Sequence, residues 1–328
     1  MTTYKEIRGT NIEAVASDPS NPVTGQVWYN STDNVVKGFF VNTGSWATKN
    51  GMNQDRQNLA GAGITATAAL AFGGEPDTYD ARTELYNGTN WTEVNDLQTD
   101  GRARLGGAGT STSALAFGGR TQPGTKVADT ESWNGTNWTE KNNLNTVRED
   151  MAGSAGVSNT ACLCFGGSPP DYLSVTESWN GTNWTEVNDL NTARQSGGGS
   201  GTNTAALCFG GKGPSILSIT ELWNGTNWTE VNDMGTARYE LAGSGTTTST
   251  LASGGIAPSV SPSEKVGLTE SWNGTNWTET ADMNTGTDEH ATAGSSNSSS
   301  LAFGGDVPSS NSTEEFSSGP TTVTFTDS

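Results

Sequence analysis

Residues that could perform catalysis are scarce in this chain. Its 328 residues include one histidine, His290, which is too few for a His-based metal site, and no Ser-His-Asp triad is indicated. Asp and Glu are abundant, so paired carboxylates for glycoside hydrolysis stay open as an alternative, because a sequence does not show their separation. We expect no enzyme, no catalytic residue, no metal site and no cofactor.

The three cysteines fit packing better than chemistry. Cys162 and Cys164 stand where an equivalent segment has Ala114 and Ala116, and Cys208 follows the same pattern. A small apolar side chain is therefore sufficient at these positions, and we expect buried packing residues.

Charged residues recur at a regular spacing. Five arginines follow a Leu or Met by four or five residues: Arg56, Arg102, Arg148, Arg194 and Arg238, with Thr287 in the last copy. Glutamates recur in Thr-Glu pairs at Glu84, Glu131, Glu177 and Glu221. These residues could pair as a structural ladder, or the arginines could form a basic ring that binds an anionic ligand.

The elements that carry these residues repeat along the chain. The sequence Asn-Gly-Thr-Asn-Trp begins at Asn87, Asn134, Asn180, Asn224 and Asn273. It joins two predicted strands, because Asn-Gly supplies the positive φ angles of a hairpin turn. The turn glycines are spaced by 47, 46, 44 and 49 residues, which is a period typical of propellers or solenoids.

Each repeat contains four predicted strands. A Gly/Ala-rich strand leads to a strand ending in Gly-Gly, a variable loop, a Thr-Glu strand and the Trp hairpin. Four strands per repeat predict a propeller blade. In such a blade, Arg and Glu lie on the same rim, so we expect them to pair with each other.

These motifs resemble the kelch repeat. The shared features are Gly-Gly, a variable loop, a strand ending in an aromatic residue, a later Trp and an Arg before the next unit. The match covers residues 52–316 in six consecutive copies. The resemblance implies an all-β, kelch-like β-propeller of four-stranded blades. We expect seven blades, with a divergent N-terminal unit as the seventh; a six-bladed ring with a separate N-terminal module is the alternative.

Residues 1–50 differ from the repeats. A degenerate copy of the Trp hairpin is predicted there, in which Phe39-Phe40-Val41 corresponds to Glu177-Ser178-Trp179 and Trp46 to Trp184. Residues 18–46 resemble N-terminal modules of tail-fibre-like proteins of tailed phages. We expect 1–50 to be an arm and tail-fibre-like module, which either attaches the protein or forms a divergent first blade, and 51–328 to hold six repeats.

The spelling Trp-Asn-Gly-Thr-Asn-Trp-Thr-Glu resembles kelch-like virion proteins of marine phages. That resemblance implies a structural protein of the virion tail or fibre, which contacts other virion proteins through its N-terminal region. Its other partner would be a host cell-surface component, for which a glycan is one candidate. An intracellular kelch-type interaction scaffold is the alternative.

Charge and hydropathy exclude other partners. The net charge of −19 disfavours nucleic acid and anionic lipid. The N-terminus does not resemble a signal peptide, and no apolar run of about 18 residues predicts a membrane span. We expect synthesis in the host cytoplasm without membrane insertion.

The loops between Gly-Gly and Thr-Glu differ from repeat to repeat, whereas the Asn-Gly-Thr-Asn turns are nearly identical. Variable loops on a constant scaffold are typical of a recognition surface, although unconstrained drift is the alternative. The predicted ligand-binding residues are Asp77, Tyr79, Arg120, Lys126, Asp171, Tyr172, Lys212, Ile216 and Leu217. Aromatic and exposed apolar side chains among them are the expected anchors.

Overall fold

The computed structural model describes residues 12–75, 78–168, 171–260, 265–306 and 311–325. Every helix or strand assigned within these ranges is a β-strand. The same ranges hold no helix with the length and apolarity needed to cross a membrane. The chain divides into two compact units, a small unit of Met1–Gly44 with Ser318–Ser328 and a repeat unit of Ser45–Ser317.

Three strands open the chain, and they are β1 (Glu13–Val15), β2 (Val27–Asn30) and β3 (Val35–Thr48). In the small unit, β1 pairs with β2 in parallel and β2 pairs with β3 antiparallel. The predicted hairpin between Phe39-Phe40-Val41 and Trp46 is wrong, because β3 is one continuous strand. Thr43 separates Asn42 from Gly44, so the Asn-Gly pair of a tight hairpin turn is missing here.

The repeat unit begins with four-stranded antiparallel sheets. The first comprises β4 (Ala60–Thr65), β5 (Ala68–Phe72), β6 (Thr83–Tyr86) and β7 (Trp91–Val94). The second comprises β9 (Gly106–Thr110), β10 (Ser113–Phe117), β13 (Thr130–Trp133) and β14 (Trp138–Lys141). Beside it, β8 (Arg102–Ala103), β11 (Arg120–Thr121) and β12 (Thr125–Lys126) form a small sheet.

Three further sheets repeat the same order. They are β15 (Gly153–Ser158), β16 (Ala161–Phe165), β17 (Thr176–Trp179) and β18 (Trp184–Val187); β19 (Gly198–Thr202), β20 (Ala205–Phe209), β21 (Thr220–Trp223) and β22 (Trp228–Val231); and β23 (Ala242–Thr246), β24 (Ser249–Ser253), β25 (Thr269–Trp272) and β26 (Trp277–Glu279).

The last sheet of the repeat unit uses strands from both ends of the chain. Its strands are β27 (Ala291–Ser296), β28 (Ser299–Phe303), the beginning of β29 (Thr313–Phe325) and the end of β3. The first strands contact each other in chain order, β4 with β9, β9 with β15, β15 with β19, β19 with β23 and β23 with β27, and β27 also contacts β4. This repeated architecture confirms the predicted all-β class and is consistent with a multi-bladed β-propeller.

Aromatic rings fill the space between neighbouring sheets. The ring of Phe165 lies 4.9 Å from that of Trp228 in the next sheet. The ring centroid of Trp228 also lies 5.4 Å from that of Trp223 on the adjacent strand. Tilted or edge-on pairs of this kind contribute about 0.5–1.5 kcal/mol each beyond the burial of their surface. The aromatic residues at these positions, such as Phe165, Trp223 and Trp228, therefore belong to the scaffold.

Indole hydrogen bonds join each sheet to the one before it. The Nε1 of the Trp at the start of each fourth strand donates to a Thr hydroxyl on the preceding sheet's third strand. The pairs are Trp91 with Thr313, Trp138 with Thr83, Trp184 with Thr130, Trp228 with Thr176, Trp277 with Thr220 and Trp46 with Thr269. Trp46 thus takes in the last sheet the position that Trp184 has in its own.

Asp18 organises the small unit. Its carboxylate accepts hydrogen bonds from Trp28 Nε1 at 3.0 Å, Asn30 Nδ2 at 2.8 Å and Lys37 Nζ at 2.9 Å. These bonds, that of Lys37 first, lower the pKa of Asp18 to about 2. They fix the segment after β1 against β2 and β3.

Candidate functional site

The repeated arginines and glutamates form buried ion pairs. The closest contacts are Arg56 with Glu84 at 2.7 Å, Arg102 with Glu131 at 2.8 Å, Arg194 with Glu221 at 2.6 Å, Arg238 with Glu270 at 3.1 Å, and Arg148 with Glu177. All five arginine side chains are fully inaccessible.

Arg194 shows how completely such a pair is satisfied. Its guanidinium also donates to the carbonyl oxygens of Gly210 at 3.1 Å and Ile219 at 2.8 Å. Glu221 in turn accepts from the backbone N of Asn191 at 2.7 Å. Because the charges are paired, hydrogen-bonded and out of reach of solvent, the geometry favours the structural ladder over a ring that binds an anion.

Two residues after each of these arginines, and after Thr287, lies a residue with positive φ that sequence reasoning missed. These six residues, Asn58, Arg104, Asp150, Ser196, Glu240 and Glu289, have φ between 49° and 58°. We call them the central ring. Non-glycine residues seldom adopt this conformation, which costs of order 1–3 kcal/mol, and it concentrates at functional sites.

Backbone hydrogen bonds connect the central ring. The N–H of each member donates to the carbonyl oxygen of the preceding member, with N···O distances from 2.7 Å to 3.1 Å. The N–H of the first member, Asn58, donates to the carbonyl oxygen of the last, Glu289, at 3.0 Å. The positive φ is thus explained by a shared backbone role. The side chains of neighbouring ring members differ in type, except for Glu240 and Glu289.

The central ring borders a cavity of about 280 Å³. Its wall is made by the Gly/Ala-rich first strands of the sheets, β4, β9, β15, β19, β23 and β27. Glycine permits these strands to approach closely: a Cβ on Gly199 would lie 2.8 Å from the backbone N of Ser154 on the neighbouring first strand. The wall therefore offers little side-chain chemistry, and the polar groups collect at the ring.

The variable loops lie on the same face as the central ring. Isolated bridges join the residues just before the ring to these loops, Gln57 to Glu75, Glu149 to Ser168, Gln195 to Lys212 and Tyr239 to Ile256. The ring and the loops therefore form one surface, which we call the loop face.

One half of the central ring is a closed polar network. Arg104 donates to Asp150 at 2.9 Å and to Glu289 at 3.4 Å. Asn58 Nδ2 donates to Glu75 at 2.9 Å and to Glu289 at 2.8 Å. These bonds use both Nη atoms of Arg104 and the Nδ2 of Asn58, while the Nε of Arg104 is buried without a hydrogen-bonding partner among the described residues.

The other half has unpaired polar groups. No hydrogen bond or ion pair joins the Glu240 carboxylate or the Ser196 hydroxyl to any other described residue, and the Lys212 ammonium is placed 5.1 Å from the ring centroid of Tyr239. Burial, with the charge of Asp288 next, raises the pKa of Glu240 to about 7, while Arg104 and, to a smaller extent, Lys212 oppose the shift. Burial and Glu240 likewise raise the pKa of Glu289 to about 8.

Several predicted ligand-binding residues are engaged inside the protein. Arg120 lies 5.5 Å from the ring centroid of Tyr79 and 3.3 Å from Glu149. Lys126 approaches the same Glu149 at 3.2 Å and donates to the Ser168 carbonyl at 3.3 Å. Arg120 and Lys126 therefore contact other residues of the loop face and do not extend freely from it.

The remaining predicted residues vary in exposure. Asp171 is exposed, and Tyr172 and Ile216 are half-buried. The expectation that Leu217 is exposed is wrong, because its side chain is buried, with 9% of its surface accessible. Asp77 lies outside the described residues.

His290 is part of a buried polar pair. Its Nε2 lies 3.2 Å from the Ser253 hydroxyl, and burial, with the charge of Arg238, lowers its pKa to about 4. The N–H groups of Gly254 and Gly255 already donate to backbone carbonyls at 3.0 Å and 2.7 Å, so they do not offer an oxyanion hole beside Ser253. The pair replaces the Phe and Leu of other repeats, such as Phe72 with Leu105.

The buried thiols lie in the second strands. Cys162, Cys164 and Cys208 are fully inaccessible, and burial raises the pKa values of Cys164 and Cys208 to about 12. A thiol held protonated in this way is a poor nucleophile and a poor metal ligand.

A signal for the central ring was present in the sequence. The position two residues after each repeated arginine changes from Asn to Arg, Asp, Ser and Glu, while its distance from that arginine stays constant. Comparison with protein-family models finds no match for the chain, and comparison with curated proteins finds none, so the interpretation of this face rests on its geometry.

Proposed function

We propose that the repeat unit is a closed, six-bladed, kelch-like propeller. The six indole-to-threonine hydrogen bonds and the six backbone bonds of the central ring each return from the last sheet to the first, which supports closure after six blades instead of the expected seven. The end of β3 supplies the outer strand of the last blade, so residues before Ser45 belong to the separate N-terminal module of the alternative interpretation.

The function that this geometry supports best is non-catalytic recognition through the loop face. The observation that carries it is the central ring: six strained positions with one backbone role hold five different residue types. A scaffold requirement alone would favour Gly or Asn at positive φ in every blade. Of these side chains, Ser196 and Glu240 line the cavity without a hydrogen bond to another described residue, which leaves them available to a ligand.

The repeats resemble kelch-like virion proteins of phages, and residues 18–46 resemble modules of tail-fibre-like proteins. We therefore propose that the protein is a structural protein of a phage tail or fibre. The loop face would bind a host-surface component, and the small unit would attach to other virion proteins. The small unit exposes Val23, Phe40 and Phe325 in its described part, which supports an attachment role.

Two measurements test the proposal together. Purified phage particles should contain the protein, as detected by mass spectrometry after density-gradient separation. The purified chain should bind host cells, and a loop-face variant should bind less than Lys141→Ala, a change at an exposed position on β14. Exclusive recovery from the soluble lysate with one protein partner would favour the intracellular scaffold.

A further inference from the structure

The unpaired half of the central ring forms a distinct place on the loop face. Ser196 and Glu240 are consecutive ring members, and the backbone N of Glu240 donates to the Ser196 carbonyl at 2.7 Å. Lys212 is tied to the same region, because its backbone pairs with Gln195, the residue before Ser196. Its charge acts on the Glu240 carboxyl, and its ammonium lies over Tyr239.

These side chains have unused hydrogen-bonding capacity of complementary kinds. An ammonium only donates, a carboxylate only accepts, and a hydroxyl does both. In the opposite half, by contrast, Arg104, Asp150 and Glu289 use their groups on one another. Ser196 and Glu240 are the ring members whose side chains make no hydrogen bond to another described residue, so a ligand would find free hydrogen-bonding groups near Ser196, Lys212 and Glu240.

We propose that Ser196, Lys212, Tyr239 and Glu240 form a subsite for one uncharged sugar residue of a glycan. This inference rests on the proposed recognition function. Adjacent hydroxyls of a sugar would donate to Glu240 and accept from Lys212, with the Ser196 hydroxyl as a third partner. The half-buried Tyr239 adds an aromatic edge beside them.

Charge decides for a neutral ligand. The subsite holds one cation, Lys212, and one carboxyl, Glu240, so an acidic sugar would face the carboxyl and a basic sugar would face the cation. A zwitterionic ligand would need Glu240 to be ionised at all times, whereas burial raises the pKa of this carboxyl to about 7. Sugar hydroxyls can form hydrogen bonds with Glu240 whether or not it is ionised. The adjoining cavity of about 280 Å³ lies at the lower limit of small-ligand pockets, which suits one terminal residue.

The experiment uses the full chain and an array of neutral, acidic and amino-bearing glycans. Neutral glycans that bind are then titrated by calorimetry against four variants. Lys212→Ala and Glu240→Gln should each weaken binding by about tenfold or more, because each removes a charged hydrogen-bonding partner. Lys141→Ala and Glu186→Gln, at exposed positions of outer strands, are the matched controls and should bind like the unmodified chain. Unchanged circular dichroism and cooperative thermal unfolding show that the variants are folded.

The outcomes separate this inference from the function on which it rests. Binding only to acidic or amino-bearing glycans, or full affinity in both subsite variants, overturns the subsite. Host-cell binding without any neutral glycan bound also overturns it, while recognition itself stands. Absence of host-cell binding contradicts the recognition function and this subsite with it.

Discussion

At the scale of single residues, Arg194 is a buried charge whose partner is essential. Arg194→Ala leaves Glu221 without its cation in a fully inaccessible position, which typically costs 3–5 kcal/mol. We expect the free energy of unfolding, measured by denaturant titration, to fall by about that amount. Lys141→Ala is the control for loss of an exposed cation and should change it by less than about 0.5 kcal/mol.

A clearly smaller fall in the free energy of unfolding of Arg194→Ala would show that the ladder of Arg and Glu pairs is not structural. Loss of glycan or host-cell binding with unchanged unfolding would point to the ligand-binding alternative. The last sheet offers an internal comparison, since Thr287 stands in place of Arg there, and Glu314 is held by the backbone N–H groups of Asn284 and Thr285 at 2.8 Å and 3.1 Å.

His290 makes stability dependent on pH. Its pKa is about 4 in the folded protein and about 6.5 when exposed, so protonation favours the unfolded chain. Its contribution is fully present above pH 6.5 and is lost as the pH falls towards 4, by on the order of 3 kcal/mol. The double variant Ser253→Phe/His290→Leu restores the Phe and Leu found in other repeats. We expect its Tm to fall much less between pH 6.5 and 4 than the Tm of the unmodified protein. An identical decline in both proteins would contradict the assignment.

At the scale of elements, Trp46 tests how the last sheet is completed. Its indole packs 5.3 Å from Phe316 and donates to Thr269 at 3.2 Å, as Trp184 does to Thr130 in an ordinary sheet. Trp46→Ala should cost about 3–5 kcal/mol, and Trp46→Phe about 1 kcal/mol through the lost hydrogen bond. Hydrogen exchange should accelerate first in β27, β28 and the beginning of β29. If exchange in these strands is unchanged, β3 does not secure the sheet.

The elements also show what a sequence can and cannot predict. The repeat phase predicted the four strands, the hairpin turns and the Arg and Glu positions, because each depends on local motifs. The local motif also predicted that Trp46 corresponds to Trp184, but not its partner Thr269, which lies more than two hundred residues away. The same limit hid the central ring, since the need for positive φ at Glu240 arises from a hydrogen bond to Ser196 in another blade.

At the scale of the whole molecule, the charge is concentrated in the repeat unit. Of the net −19, Met1–Gly44 and Ser318–Ser328 carry three basic and five acidic residues, which leaves −17 for Ser45–Ser317. Within that unit, burial raises the pKa of the ring carboxyls Glu240 and Glu289, and neighbouring acidic groups such as Asp288 raise it further.

The response of the protein to alkaline pH gives the last prediction. Glu240 and Glu289 have pKa values raised to about 7 and about 8, so the folded state favours their protonated forms. Their contribution is present below the unfolded pKa, near 4.5, and is lost as the pH rises through 7 and 8. His290 opposes this trend only below pH 6.5, so Tm should fall between pH 6.5 and 8.5. Glu240→Gln cannot ionise and should reduce that fall, whereas Glu186→Gln, an exposed carboxyl, should leave it unchanged. A fall of equal size in Glu240→Gln would show that Glu240 does not contribute to it.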